Sequence, residues 1–69
     1  MNVVTEVAGK VWKIEARRGA QLAAGDTILI VESMKMEIPV AAPQSGRLLE
    51  IRVREGDAVS EGEVVAVMQ

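Results

Sequence analysis

Thr27-Ile28-Leu29-Ile30-Val31-Glu32-Ser33-Met34-Lys35-Met36-Glu37-Ile38-Pro39-Val40-Ala41-Ala42 places two runs of strand-forming residues on either side of a very short polar spacer. β-branched runs interrupted so briefly read as two antiparallel strands joined by a tight turn, with Lys35 at or beside its tip. A hairpin tip exposes a side chain on a stiff mount, where another protein can reach it. The turn residues are unusual. A two-residue hairpin favours Asn-Gly or Asp-Gly, and this chain offers Ser33, Met34 and Lys35 instead. Breaking a local rule without structural gain suggests a functional constraint. Methionines on both sides of the lysine add nothing to solubility and suit a surface that another protein grips. The plainer alternative is that Lys35 is solvated surface charge.

Outward from this stretch, Gly9 to Gly19 alternates apolar and charged residues. The alternation predicts a half-buried strand with Trp12, Ile14 and Ala16 on one face and Lys13, Glu15 and Arg17 on the other. Moving every index by 37 sets Gly9 on Gly46, Gly19 on Gly56 and Gly25 on Gly62, and pairs Ile14 with Ile51, Arg17 with Arg54 and Leu22 with Val59. Trp12, Ile14 and Ala16 land on Leu49, Ile51 and Val53, while Ile28, Ile30 and Val3 land on Val65, Val67 and Val40. Two tandem copies therefore fit better than a single meander. Neither half could bury its apolar faces alone, so each packs on the other. The expected result is an all-β, two-sheet antiparallel sandwich or flattened barrel with approximate two-fold symmetry. The equivalent of Lys35 in the second copy would be residue 72, beyond the last residue of the chain. The two termini should accordingly lie together, at the pole away from Lys35. Gly9, Gly19, Gly25, Gly46, Gly56 and Gly62 are expected as structural turn residues.

With 69 residues, the chain is expected to form one domain, residues 1–69, and no linker composition marks either end. A core this small supplies only ~3–5 kcal/mol, and many domains of the size add disulfides or a metal. With no Cys and no His, disulfides are excluded and zinc has no soft or imidazole ligand. The commonest nucleophile and general base are missing too, and Ser33, Ser45 and Ser60 have no histidine to activate them, so catalysis by this chain alone is not expected. Glu6, Glu15, Glu32, Glu37 and Glu50 read as solvated carboxylates. Eight basic and ten acidic residues with a single aromatic, Trp12, do not make the basic, ring-bearing face of a nucleic-acid binder. No apolar run reaches membrane-spanning length and no signal-peptide order is seen, so no membrane partner is expected and the default location is cytoplasmic.

Glu32-Ser33-Met34-Lys35-Met36-Glu37 resembles the attachment motif of biotinyl domains, the biotin carboxyl carrier family, and the chain is also similar to small stand-alone biotin/lipoyl attachment proteins. The likeness covers nearly the whole chain, since the repeat, Gly19, Gly56, Glu32 and Gly46 all fall where the family has them. It implies two four-stranded sheets in a barrel-sandwich hybrid. It also implies biotin joined through an amide to Lys35 by a separate, ATP-using biotin protein ligase. The attached group would shuttle a carboxyl group between biotin carboxylase and carboxyltransferase centres. Glu32, Ser33, Met34, Met36 and Glu37 would be read by the ligase or those partners, and an isolated domain would be monomeric. Two departures stand out: no protruding insertion is present, and Ile38-Pro39 follows the motif where many carboxylase carriers differ. Lipoyl domains share the fold and modify the equivalent lysine, so lipoate is the alternative cofactor. An unmodified β-domain gripping a partner through the Met34–Met36 hairpin is the third reading.

Overall fold

Four segments occur twice along the chain, 37 residues apart, and each becomes a strand. The structure, a computed structural model describing residues 1–69, contains β1 (Asn2–Val4), β2 (Gly9–Ile14), β3 (Gln21–Leu22), β4 (Thr27–Ser33), β5 (Met36–Ala41), β6 (Gly46–Ile51), β7 (Ala58–Val59) and β8 (Val64–Met68). They form two four-stranded sheets, ordered β1-β8-β6-β3 and β5-β4-β2-β7, in which every pairing is antiparallel. Advancing by 37 residues converts β1, β2, β3 and β4 into β5, β6, β7 and β8, and so converts one sheet order into the other. Each sheet draws strands from both halves of the chain. Neither half can therefore complete a sheet without the other, which is the interdependence the repeat predicts.

The symmetry extends to the loops. Gly19 donates its N–H to the Leu48 carbonyl at 2.7 Å and Gly56 donates to the Val11 carbonyl at 2.8 Å. Likewise the Gly25 N–H bonds Ala42 O at 2.8 Å and the Gly62 N–H bonds Thr5 O at 2.7 Å. Asp26 and Glu63 complete the pattern, each accepting from the backbone N–H three residues before it, Ala23 and Ser60, at 2.9 Å. These turns are fixed by hydrogen bonds, and their glycines supply left-handed backbone, as at Gly56 with φ +96°.

One part of the predicted alternation is corrected. Trp12 and Leu49 do not join the core: they are 47% and 44% exposed, while their neighbours Val11 and Leu48 are buried. Each sits in a β-bulge. In β2 the register passes from Val11↔Val31 to Lys13↔Ile30, and in β6 from Leu48↔Met68 to Glu50↔Val67, leaving Trp12 and Leu49 as the extra residues. An inserted residue shifts the phase of the strand by one, so Val11 faces inward and the inward set resumes at Ile14 and Ala16. The repeat survives the correction, because Trp12 and Leu49 are themselves 37 residues apart.

Gly9 and Gly46 are also corrected: they open β2 and β6 and do not sit in turns. Their role is close approach. A Cβ on Gly9 would overlap the Glu32 carbonyl oxygen and lie 2.9 Å from Val31 Cγ1, and one on Gly46 would lie 2.6 Å from the Gln69 carbonyl oxygen. Without a side chain at Gly9, β2 lies close beside the end of β4 that leads to Lys35.

The core is one cluster of buried apolar side chains drawn from both sheets, and its members fall largely in equivalent pairs: Val3 and Val40, Val11 and Leu48, Leu22 and Val59, Ile28 and Val65, Leu29 and Ala66, Val31 and Met68. The buried polar residue, Thr5, satisfies itself locally, its hydroxyl donating to Val7 O at 2.8 Å and accepting from Val7 N at 3.3 Å. The termini are tied together in the sheet that does not carry the lysine hairpin. The Met1 ammonium donates to the Met68 carbonyl, and the Met68 N–H donates to the Met1 carbonyl at 2.8 Å.

Candidate functional site

The longest ladder in the molecule leads to Lys35. β4 and β5 pair from Thr27↔Ala41 through Val31↔Ile38 and Glu32↔Glu37 to Ser33↔Met36, leaving Met34 and Lys35 as the two central residues of the turn. Both are left-handed, with φ 52° and 65°. Two successive positive φ values mark a type I′ turn, whose twist matches the flanking strands where a type I or II turn would splay them. For residues with a Cβ this conformation costs roughly 1–2 kcal/mol each. The register on both sides imposes it, since a two-residue connection between these strands has few other solutions. Non-glycine residues held this way concentrate at functional sites.

The turn gives the lysine a specific surrounding. Lys35 is exposed and has no carboxylate within ion-pair range; the salt bridge present joins Arg52 and Glu50 at 3.9 Å, in β6 and the loop after it. Met34 is 93% exposed and Met36 63%. β5 is an edge strand, so no further strand shields Met36. Ser33 is half-buried and its partner is Met36, which leaves it less accessible than the two methionines. Glu32 and Glu37 are exposed and directly opposed, with Lys10 of β2 paired to Glu32 on its other side. A row Lys10–Glu32–Glu37 thus crosses the sheet behind the turn.

Sequence reasoning named these residues one at a time and missed both the opposed carboxylates and the left-handed turn. The second was detectable: a two-residue gap between paired strands demands positive φ whatever residues fill it.

The site is convex. The one cleft in the structure, about 480 Å³, lies elsewhere, between the β1 and β5 edges, lined by residue pairs related by the 37-residue shift such as Val3 with Val40 and Thr5 with Ala42. The hairpin therefore presents a primary amine with an unblocked approach, and encloses nothing. An amine so placed can be acylated by a second protein and can carry the acyl group into that protein's or another's pocket.

Comparison with known proteins gives a consistent picture. The family described as "Biotin-requiring enzyme" matches residues 1–68. The biotin/lipoyl attachment protein of Bacillus subtilis (strain 168) is 45% identical over 65 residues, covering 94% of this chain and 89% of that protein. Urea amidolyase of Saccharomyces cerevisiae is 40% identical over 67 residues, 97% of this chain but 4% of that protein. The crystal structure of Kluyveromyces lactis urea carboxylase superposes with a TM-score of 0.96 at 38% identity, covering all of this chain and 6% of that one. The same fold thus stands both nearly alone and as a small part of large carboxylases.

Proposed function

We infer, from the premise that this chain belongs to the family of biotin-requiring enzymes and is a biotin carrier domain, that Lys35 is its attachment residue and a biotin protein ligase its modifying enzyme. The observation that carries this reading is an unpaired, exposed amine at the centre of a left-handed turn on the longest paired hairpin. The residues fit the group: an amide needs a free amine, and no carboxylate of this chain competes for it. Lys35 Nζ must lose a proton before its lone pair can attack an activated carboxyl carbon, and no base of this chain stands next to it in an ion pair. The ligase supplies that base. Held on Lys35, biotin would supply the carriage of a carboxyl group between a biotin carboxylase centre and a carboxyltransferase centre.

Everything else is positioning. β4 and β5 hold the Lys35 Cα on a rigid mount, while its four-carbon stem provides reach and gives the tethered group a high effective concentration in each site visited. Met34 and Met36 offer apolar surface to the ligase and the partner enzymes, and Glu32 and Glu37 set the charge of that surface. Residues 1–69 act as one carrier unit, placed in the cytosol by the reach of an ATP-using ligase.

Intact mass after co-expression with a biotin ligase, and separately with a lipoate ligase, tests the reading. Addition of biotin is expected, with none in Lys35→Arg, whose melting should stay within about 0.5 kcal/mol of the parent because the tip is exposed. Addition of lipoate alone would instead support the lipoyl reading. No addition by either ligase leaves a partner-binding β-domain.

A further inference from the structure

The chain has four methionines, and the fold sorts them sharply. Met68, the equivalent of Val31, is fully buried, and Met1 is about half exposed. Met34 and Met36 bracket Lys35 with most of their surface in water. Met34 cannot retract, because its left-handed backbone and the Ser33↔Met36 closure hold it at the apex of the turn. Met36 lies on an edge strand with open solvent beyond it. The chain has no cysteine to intercept an oxidant. Thioether oxidation follows access to the sulfur, so the two most accessible oxidisable groups flank the residue that the proposed function requires to be acylated.

We propose that Met34 and Met36 form an oxidation site, and that their conversion to sulfoxides by hydrogen peroxide switches off acylation of Lys35 until the sulfoxides are reduced. This rests on the carrier reading given above. A lone pair on sulfur attacks one peroxide oxygen, the S–O bond forms as the O–O bond breaks, and the departing hydroxide takes the proton from the sulfur-bound hydroxyl, leaving the sulfoxide and water. The sulfur is oxidised by two electrons and the peroxide reduced by two. The charge of the hairpin does not change. Its apolar character does: a flexible thioether becomes a polar, chiral group on the surface the ligase has to bury. Because both side chains are already solvated, the fold itself is untouched, and methionine sulfoxide reductases can reach both sulfurs to reverse the change.

The test treats the apo chain with limiting hydrogen peroxide, maps the oxidised methionines by peptide mass, and measures the initial rate of biotinylation by a biotin protein ligase. Met34 and Met36 should oxidise at least about tenfold faster than Met68, with unchanged thermal melting. The biotinylation rate should fall about tenfold or more, because the apolar burial lost at even one methionine is worth about that factor. Methionine sulfoxide reductase treatment should restore it. A Met34→Leu/Met36→Leu variant, compared only with its own untreated rate, should keep that rate through the same peroxide exposure. An oxidised chain biotinylated at the untreated rate, or a double-Leu variant that loses its rate equally, overturns the switch. Oxidation of Met68 as fast as Met34 overturns the site. An untreated chain that accepts no biotin overturns the carrier reading and with it the effect on acylation, whereas the order of oxidation is decided by peptide masses alone.

Discussion

Glu32 and Glu37 are direct cross-strand partners, one rung behind the Ser33–Met36 pair that closes the lysine turn. Like charges placed opposite each other oppose strand pairing, and nothing in the fold requires a carboxylate at either position, since both are exposed. Under the carrier reading proposed above, the two carboxylates would face a partner carrying basic groups. Replacing Glu37 by Gln should therefore stabilise the domain slightly, by about 0.2–0.5 kcal/mol in urea denaturation. The same change should slow biotinylation most at low salt, where charge attraction assists encounter. A rate insensitive to both the substitution and ionic strength would remove the carboxylates from recognition.

The turn itself stores strain that a substitution can release. Met34→Gly removes the Cβ from a left-handed position, a relief of roughly 1–2 kcal/mol that the added chain entropy of glycine reduces to a net gain of about 0.5–1 kcal/mol. Greater stability with poorer ligase recognition is the expected combination, because the variant also loses the exposed thioether. Equal or lower stability in chemical denaturation would show that the turn is relaxed with methionine in place.

Leu48 and Leu49 offer a matched pair of adjacent leucines, one facing the core and the other the extra residue of a bulge. Leu48→Ala, from a fully buried position, should cost about 2–5 kcal/mol, enough to unfold much of so small a domain. Leu49→Ala should cost less than about 1 kcal/mol. Similar losses at the two sites, measured by thermal melting, would place the bulge elsewhere.

Glycine at position 56 is needed for its backbone alone, since the φ of +96° is unfavourable for any L side chain while a Cβ there would meet nothing within 4 Å. Gly56→Val should destabilise by about 2 kcal/mol or more through conformational strain. Gly9→Ala should destabilise by overlap instead, pushing β2 away from the Glu32 carbonyl, and should slow biotinylation by displacing β4. Unchanged melting of Gly56→Val would mean the loop tolerates another conformation.

The amino-acid sequence determined the all-β two-sheet arrangement, the two tandem halves and the lysine hairpin, because those rest on local alternation, on the 37-residue repeat and on spacing that any antiparallel pairing has to obey. The 37-residue shift pairs Val3 with Val40, Leu22 with Val59 and Ile28 with Val65, and each of these pairs is buried, whereas Ile30 and Val67, paired by the same shift, are only half-buried. Tertiary structure alone decided the rest. Which of Val11 and Trp12 faces inward depends on a bulge set by the opposing register of β4, a relation between residues nearly 20 positions apart that alternation within β2 cannot encode. Whether Gly9 serves a turn or a close approach depends likewise on where the Glu32 carbonyl arrives. Spacing alone places Lys35 only at or beside the tip, and it is the closing pair Ser33↔Met36 that fixes the turn at two residues, from which the opposition of Glu32 to Glu37 and the left-handed backbone of Met34 and Lys35 both follow.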